Sequence, residues 1–388
     1  MTIAVILSLL SLTIWIYLLC FRGQFWRTHL RLPSLPSSSL LPPSSSLCVI
    51  VPARNEADLL PLTLRSLLTQ DYPGSVTIFV VDDHSTDGTA DIARKTAEQL
   101  GQGDRLHLLL AEPLPPGWTG KLWALEQGIQ KAMTLEPDYF LLTDADIEHD
   151  RTNLRQLVEK AVGDDRELVS LMVRLRCQSF WEKLLIPAFV FFFEKLYPFA
   201  WINQPSKNMA GAAGGCSLIR REALLRIGGI QAIRQALIDD CALAQAIKAS
   251  GSKRIWLGLT TSAHSLRPYD SLATIWNMVA RTAFTQLNYS PLLLLGTLIG
   301  MMVIYLAPLG LGLVGLFTGQ WFLAFINLCT YLLMSLMYLP IIRFYQTSVW
   351  FAFCLPAIGL LYTLMTMDSA RRHWQGKGGA WKGRIYQT

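Results

Sequence analysis

Three groups of carboxylates stand where their neighbours suggest chemistry: Asp82 with Asp83, Asp144 with Asp146, and Asp239 with Asp240. In Thr143-Asp-Ala-Asp-Ile147 two acids are separated by one residue, and the period of two along an extended chain turns both toward one side. Hard carboxylate oxygens select Mg2+ or Mn2+, ions that keep waters and share their shell with substrate phosphates. A pair of this kind in an exposed loop would carry no function. Its position directly after the apolar run Phe140 to Thr143 is what gives it weight. Val80-Val-Asp-Asp-His-Ser-Thr-Asp-Gly-Thr89 sets acids and hydroxyls immediately before a helical stretch. There Asp83 can accept a hydrogen bond from a nucleobase N–H, while Asp87 or Thr86 can cap the helix instead. Val51-Pro-Ala-Arg-Asn-Glu56 ends an apolar run at Pro52 and releases Arg54 and Glu56 at its edge. That loop suits a nucleotide base or ribose, or equally an ordinary strand-to-helix turn. Lys121 follows a glycine at an expected helix start, where the backbone dipole does not favour a cation. A diphosphate nearby would account for it, as would a solvated surface position. Asp239 and Asp240 open Ile238-Asp-Asp-Cys-Ala-Leu-Ala, where the dipole of a helix N-terminus is a complete structural account of both. The chemical alternative is a general base, an effect that contributes about 10²- to 10⁴-fold.

These residues need a frame. From Leu47 to about Leu266, runs rich in Val, Ile and Leu alternate with helix-like stretches, the pattern of an α/β domain, here set at residues 47–270. Leu47 to Val51, Val76 to Asp82 and Phe140 to Thr143 read as buried strands, with Asp58 to Gln70 and Thr89 to Leu100 as helices. Polar groups emerging from successive strand ends then share the carboxyl edge of one sheet, where open α/β folds bind ligands.

Outside that region the chain turns apolar. Hydrophobic residues make up 52% of the chain and charged residues only 16%, below the quarter or so usual in soluble domains. Ile3 to Phe21 has about the length a helix needs to cross a bilayer, giving an expected anchor at residues 1–22. Arg22, Arg27 and Arg31 follow it, the opposite order to a cleaved signal peptide, and hold what comes next on the cytoplasmic side. Residues 33–46 are a Pro/Ser linker too poor in packing residues to fold. Residues 179–201, aromatic and interrupted by Glu194, Lys195 and prolines, suit an amphipathic helix lying in the headgroup region. Residues 271–290 are set apart as an expected interfacial segment between the α/β domain and the apolar runs that follow. Three long apolar runs fill residues 291–367: Pro291 to Phe317, Trp321 to Ile342 and Ser348 to Met367. A basic tail, residues 368–388, closes the chain. Four spans put that tail outside and its basic residues argue for inside, so the span count stays open. The net charge of +6 comes from basic residues that flank apolar runs instead of forming a stripe, which points to anionic lipid and away from nucleic acid. Seven scattered cysteines with no CxxC pair suggest neither zinc nor a disulfide framework.

In this order, PARNE, VVDDHSTDGT, the Lys121 segment, TDAD, AAGGCSLIRREAL and IDD resemble the family 2 glycosyltransferases of the GT-A fold, from Leu47 to Tyr289. PAFVFFFEKLYPFAW, IDDCALA, RTAFTQL and WKGRIY look like the bacterial hopene-associated members. The resemblance implies a UDP-sugar donor, with Pro52, Arg54, Glu56, Asp83, Lys121 and Asp144 around it and the uracil on Asp83. It implies Asp144 and Asp146 as ligands of Mg2+ or Mn2+, Asp240 as the base, and Gly214, Gly215, Asp239 and Arg281 on the acceptor side. The implied acceptor is a membrane lipid: a hopanoid, carotenoid or other polyisoprenoid alcohol, or alternatively the ceramide of ceramide-glucosyltransferase-like glycolipid synthases. Many relatives carry QxxRW after the base. Here the stretch reads Asn277-Met-Val-Ala-Arg-Thr282, so Arg281 stands for the arginine while the glutamine and tryptophan are missing, which argues against processive synthesis. Two other readings compete. A nucleotidyltransferase would open with a glycine-rich phosphate loop that PARNE lacks, and a non-catalytic lipid-binding protein would not need three carboxylate sites in order.

Overall fold

The computed structural model describes residues 2–33 and 45–378, with 380–381 and 384–385 in the tail. Most of the expected Pro/Ser linker, residues 34–44, lies outside the described residues. In chain order the first elements are α1 (Thr2–Phe21), β1 (Leu47–Ala53), α2 (Leu60–Leu68), β2 (Val76–Asp82), α3 (Thr89–Gln99), β3 (Leu106–Leu110) and α4 (Gly120–Ala132). Next come β4 (Tyr139–Thr143), β5 (Ile147–His149), α5 (Asn153–Gly163), β6 (Leu168–Arg174), α6 (Phe180–Leu196), α7 (Phe199–Ile202), β7 (Cys216–Arg220) and α8 (Arg221–Arg226). The remainder are α9 (Asp239–Ala249), β8 (Ile255–Ser265), α10 (Leu272–Ala280), α11 (Pro291–Met301), α12 (Ala307–Phe317), α13 (Trp321–Phe344) and α14 (Leu355–Trp374).

The eight strands form one sheet in the order β3-β2-β1-β4-β7-β6-β8-β5. β3, β2, β1 and β4 run parallel, whereas β7 is antiparallel to both β4 and β6. Every residue of β1 and of β4 is buried, because helices cover both faces and a strand covered twice reads as a continuous apolar run. Within β1 the period of two is nonetheless strict: Cys48 and Ile50 join one core with α4, α6 and α9, while Leu47, Val49 and Val51 join another with α2, α3 and α5. The strands read from sequence are all present, but the run at Phe140 is the fourth strand along the chain. The third, β3, is an edge strand with Leu110 and His107 exposed, and covering on one side only left it a weak signal.

Five helical stretches are long and apolar enough to cross a membrane by length and composition: Thr2–Phe21, Phe180–Ile202, Pro291–Phe317, Trp321–Phe344 and Val349–Trp374. The third is one rod, α11 and α12 joined through a π-turn at Met302–Leu306. Such a turn frees a backbone carbonyl, and Trp15 of α1 donates its indole N–H to the Ile304 carbonyl at 2.9 Å. α1 is fixed at two further points, with Asn327 donating to Ser8 Oγ at 2.8 Å and Arg22 Nε donating to the Lys195 carbonyl at 3.1 Å. α6 opens with a capping box between Ser179 and Glu182. The aromatic content that suggested a helix lying in the headgroups is taken up by internal packing. Phe191 meets Tyr338 of α13 at 5.1 Å and Phe192 meets Tyr362 of α14 at 4.8 Å, both edge to face. Only the ends of α6, at Phe180 and Leu196, are strongly exposed.

α4 lies so close to the sheet that a Cβ on Gly128 would sit 2.6 Å from Ile50 Cγ2 and 2.9 Å from Val81 Cγ2. Gly128→Ala is therefore expected to destabilise the fold by about 1–3 kcal/mol, the usual cost of overpacking. Thermal unfolding in detergent checks this, and an unchanged melting temperature would contradict the packing described.

Candidate active site

The carboxyl edge of β1 and β4, the start of α4, the start of α9 and the end of β8 converge on a cleft of about 360 Å³. Its wall includes Pro52, Glu56, Lys121, Asp144, Asp146, Gly215, Asp239, Arg267, Tyr269 and Arg281. Asp144 and Asp146 are not on a strand. β4 ends at Thr143 and the pair occupies the turn between β4 and β5, so a tight turn, not strand alternation, brings both into the cleft. That turn is held from both sides, since Thr63 Oγ1 donates to the Ala145 carbonyl at 2.9 Å and the Leu266 N–H donates to the Asp146 carbonyl at 2.8 Å. Beneath it His149 is buried, with Asn153 Nδ2 2.9 Å from its Nδ1 and Thr143 Oγ1 3.0 Å from its Nε2. Burial, with His264 nearby, pushes its pKa down to about 3, so the ring is a neutral structural bracket. Thr143 passes the chain of hydrogen bonds on to the Gly215 carbonyl at 2.8 Å.

Lys121 is not a solvated surface residue. Its Nζ lies 2.9 Å from Asp144 Oδ1 and 3.1 Å from Asp239 Oδ2, tying the β4 turn to the start of α9. Burial pulls its pKa down, but Asp144 and Asp239 outweigh that and hold it above the ordinary range. Asp144 is raised above the usual carboxylate range by burial; Lys121 opposes the shift, while Asp146 and Asp239 reinforce it. Asp240, in the first turn of α9, accepts from the Cys241 N–H at 2.7 Å. Burial and the neighbouring Asp239 push it up to about 7, against the pull of that N–H and of Lys121. The helix dipole alone would have lowered it. Asp239 and Asp240 therefore do more than stabilise a helix start.

Arg267 was not foreseen. It donates from Nη2 to both oxygens of Glu56 at 2.7 and 2.8 Å and from Nε to Asp146 Oδ2 at 2.8 Å. The Glu56 carboxylate is thus held by an arginine from the far end of the sheet. The criterion that found Asp83, a charged residue just past a buried strand, applies equally to Arg267 two residues after β8. Asp83 itself is buried at the end of β2, with Arg54 Nη1 donating to its carbonyl at 2.6 Å and lying 3.4 Å from its carboxylate. Neither Asp83 nor Arg54 lines the cleft, so they mark a neighbouring part of the same edge. Asp82 and Asp87 serve the loop: Asp82 accepts from the Ser85 N–H and Asp87 from the N–H groups of Thr89 and Ala57. The two glycines differ. A Cβ on Gly215 would stand 2.8 Å from Val173 Cγ2, a packing constraint, whereas one on Gly214 would stand 3.4 Å from Lys121 Nζ and 3.5 Å from Asp240 Oδ2.

A second cavity of about 380 Å³ adjoins the cleft, lined mainly by apolar side chains of α6, α11 and α14, and it reaches Asp239 and Asp240. Leu237, Asp239, Arg281 and Thr282 line both spaces.

Residues 48–228 match the model for glycosyl transferase family 2. Over this segment, just under half of the chain, the sequence is similar to the family 2 glycosyltransferases. The 4,4'-diaponeurosporenoate glycosyltransferase of Staphylococcus haemolyticus is 34% identical over 105 residues, covering 27% of this chain and 25% of that protein. The aligned stretch thus spans a quarter of that relative's length. Among solved structures, a mannosyltransferase of Pyrobaculum calidifontis in complex with GDP-Man and Mn2+ superposes with a TM-score of 0.58 at 20% identity, covering 96% of this chain and 98% of that one. The likeness extends over the helices as well as the sheet, and the domain has the GT-A fold.

Whether a divalent ion fits can be tested on the donor set. Among the described residues no three His, Cys, Asp or Glu side chains come together to cage a metal. Asp144 and Asp146 share one turn facing the cleft, in a group of acids whose charge exceeds what Lys121 neutralises at Asp144. This set fits an ion that completes its shell with waters and a substrate diphosphate.

Removing the guanidinium would strand Glu56 and Asp146, each 8% exposed. Arg267→Met is expected to cost about 1–3 kcal/mol, the range for hydrogen bonds to charged groups and partly exposed partners. Arg267→Lys should recover only part of this, because an ammonium cannot reproduce the two-oxygen clasp on Glu56. Melting temperatures of the two variants decide it, and equal stability to the parent would refute the clamp.

Proposed function

We propose that the chain is a membrane-embedded, inverting glycosyltransferase that moves a sugar from a UDP-sugar to the hydroxyl of a membrane lipid. The observation that carries this reading is the shared wall: a carboxylate-rich cleft and an apolar cavity meet at Leu237, Asp239, Arg281 and Thr282, with Asp240, next to Asp239, on the cavity side. A donor in the cleft and a lipid in the cavity then approach one another across that wall. The acceptor hydroxyl gives its proton to Asp240, its oxygen bonds to the anomeric carbon, and the bond from that carbon to the diphosphate breaks. Alignment of the two reactants supplies much of the acceleration. Mg2+ or Mn2+ held by Asp144 and Asp146 would supply Lewis-acid stabilisation of the leaving diphosphate, an effect of several kcal/mol. Lys121 stands within reach of the same charge and adds a second cation. Asp83 and Arg54, beside the cleft on the edge of β1 and β2, are assigned to the uracil and ribose.

Membrane residence is supported by the five apolar stretches, and Arg22, Arg27 and Arg31 behind α1 favour a cytoplasmic domain. The named substrate of the staphylococcal relative, a carotenoid acid, supports a polyisoprenoid acceptor class, within which a hopanoid-type alcohol is the proposed case. The donor assignment is tested by incubating membranes that contain the protein with labelled UDP-glucose, UDP-N-acetylglucosamine and GDP-mannose and identifying the labelled lipid by mass spectrometry.

Asp240→Asn is expected to abolish transfer while nucleotide binding stays nearly intact, and full activity in that variant would remove Asp240 from the mechanism. A carboxylate with its pKa near 7 is an effective base only above it. The transfer rate should therefore climb as pH rises through about 7, and a flat profile between mildly acidic and mildly alkaline buffer would contradict the assignment. EDTA should stop transfer and added Mg2+ or Mn2+ restore it; transfer that persists in the chelator would exclude the metal role.

A further inference from the structure

The apolar cavity is not uniformly apolar. Beside the junction with the cleft, Tyr197 at the C-terminal end of α6 and Gln286 in the turn after α10 meet across it. The Tyr197 hydroxyl lies 3.0 Å from Gln286 Oε1 and 2.7 Å from Nε2, straddling the amide. Around them Phe193, Leu237, Val279, Ala283, Leu287 and Met301 offer no hydrogen bonds from their side chains. Lys195, on the same wall, donates to the Tyr305 hydroxyl at 2.8 Å, and Arg281 lines the cavity where it meets the cleft. Gln286 belongs to Arg281-Thr-Ala-Phe-Thr-Gln-Leu287, a segment whose conspicuous sequence the transfer chemistry does not use.

Given an acceptor lipid in this cavity, as the proposed function holds, we infer that Tyr197 and Gln286 form the bracket that receives its reacting hydroxyl and aims it at Asp240. A side-chain amide has two N–H donors and an oxygen with two lone pairs, and a phenol can donate and accept. Their mutual contact, together with the contact of the Tyr197 hydroxyl with the Cys241 thiol, uses only part of this capacity. The six apolar side chains around the pair offer the remainder no partner, and in such surroundings a polar group gains most from one. An uncharged hydroxyl matches it: the hydroxyl oxygen accepts from the amide and its proton is left for Asp240. Tyr197 is fixed for this task by ring packing on Phe193 at 5.1 Å, and Gln286 by its backbone N–H donating to the Thr282 carbonyl at 3.0 Å. Both are positioning residues. Neither lines the donor cleft, so their loss should be felt by the acceptor and not by the nucleotide.

The test is photolabelling of the full chain in lipid nanodiscs with a diazirine-bearing analogue of geranylgeraniol. Competitors are geranylgeraniol, geranylgeranyl phosphate and the matching hydrocarbon without a hydroxyl. Labelled peptides from α6, α11 and α14 are expected, with geranylgeraniol competing roughly fivefold better than the hydrocarbon, the factor one hydrogen bond commonly contributes. Gln286→Leu and Tyr197→Phe should each shrink that margin toward unity while nucleotide binding, measured on the same preparations, stays unchanged and reports correct folding. Label in the cavity with the margin intact in both variants would overturn the bracket and leave the acceptor cavity standing. Stronger competition by the phosphate than by the alcohol would also overturn it, since the bracket is built for an uncharged head. Absence of label from the cavity in the parent protein would overturn the bracket and the acceptor reading together.

Discussion

One ammonium group joins the parts of this site. Lys121 Nζ bridges Asp144, from the turn after β4, and Asp239, from the start of α9, two segments nearly a hundred residues apart in the chain. Without a cation there, crowding several partly buried carboxylates side by side would be costly, because each loses some of its water while repelling the next. Arg267 does the same on the other side of the turn for Asp146 and Glu56. The cleft is therefore a lattice of acids held at fixed spacing by two cations, and Asp144 and Asp240 are raised by burial first and then by the acids beside them.

Those raised carboxylates link architecture to chemistry. A carboxylate poised near neutrality can take a proton and still be charged often enough to act, which an ordinary exposed aspartate does less effectively. The sheet supplies the rigidity this needs. β1 and β4 are buried on both faces, and the turn that carries Asp144 and Asp146 is pinned from Thr63, from Leu266 and, through Thr143, from the neutral ring of His149. The helices contribute the other half. α6 is capped at one end by Ser179 and Glu182, packs its phenylalanines on α13 and α14, and leaves a side of the apolar cavity open beside Asp240.

Much of this was legible in the sequence because it depends on local rules. Strands covered on both faces are continuous apolar runs, so β1, β2 and β4 and the acids at their ends could be read directly. The apolar stretches at both ends of the chain follow from composition and length in the same way. β3 escaped because an edge strand is half exposed, and α6 could be recognised as a helix without any sign of what its aromatic side chains would touch.

What only the tertiary structure decided is which of these residues meet. Nothing in the spacing of the chain brings Arg267 to Glu56, since that contact depends on β8 and β1 lying in one sheet with β4, β7 and β6 between them. Nor could sequence separate Asp239 and Asp240 as helix-dipole residues from Asp239 and Asp240 as part of a charged cluster, because the first account needs only neighbours in the chain and the second needs Lys121 and Asp144 in space. The sequence by itself determined the residue types, the strand ends that carry them and the apolar stretches. The fold determined their charges and partners, because electrostatic energy and burial depend on distances through space that no one-dimensional pattern records.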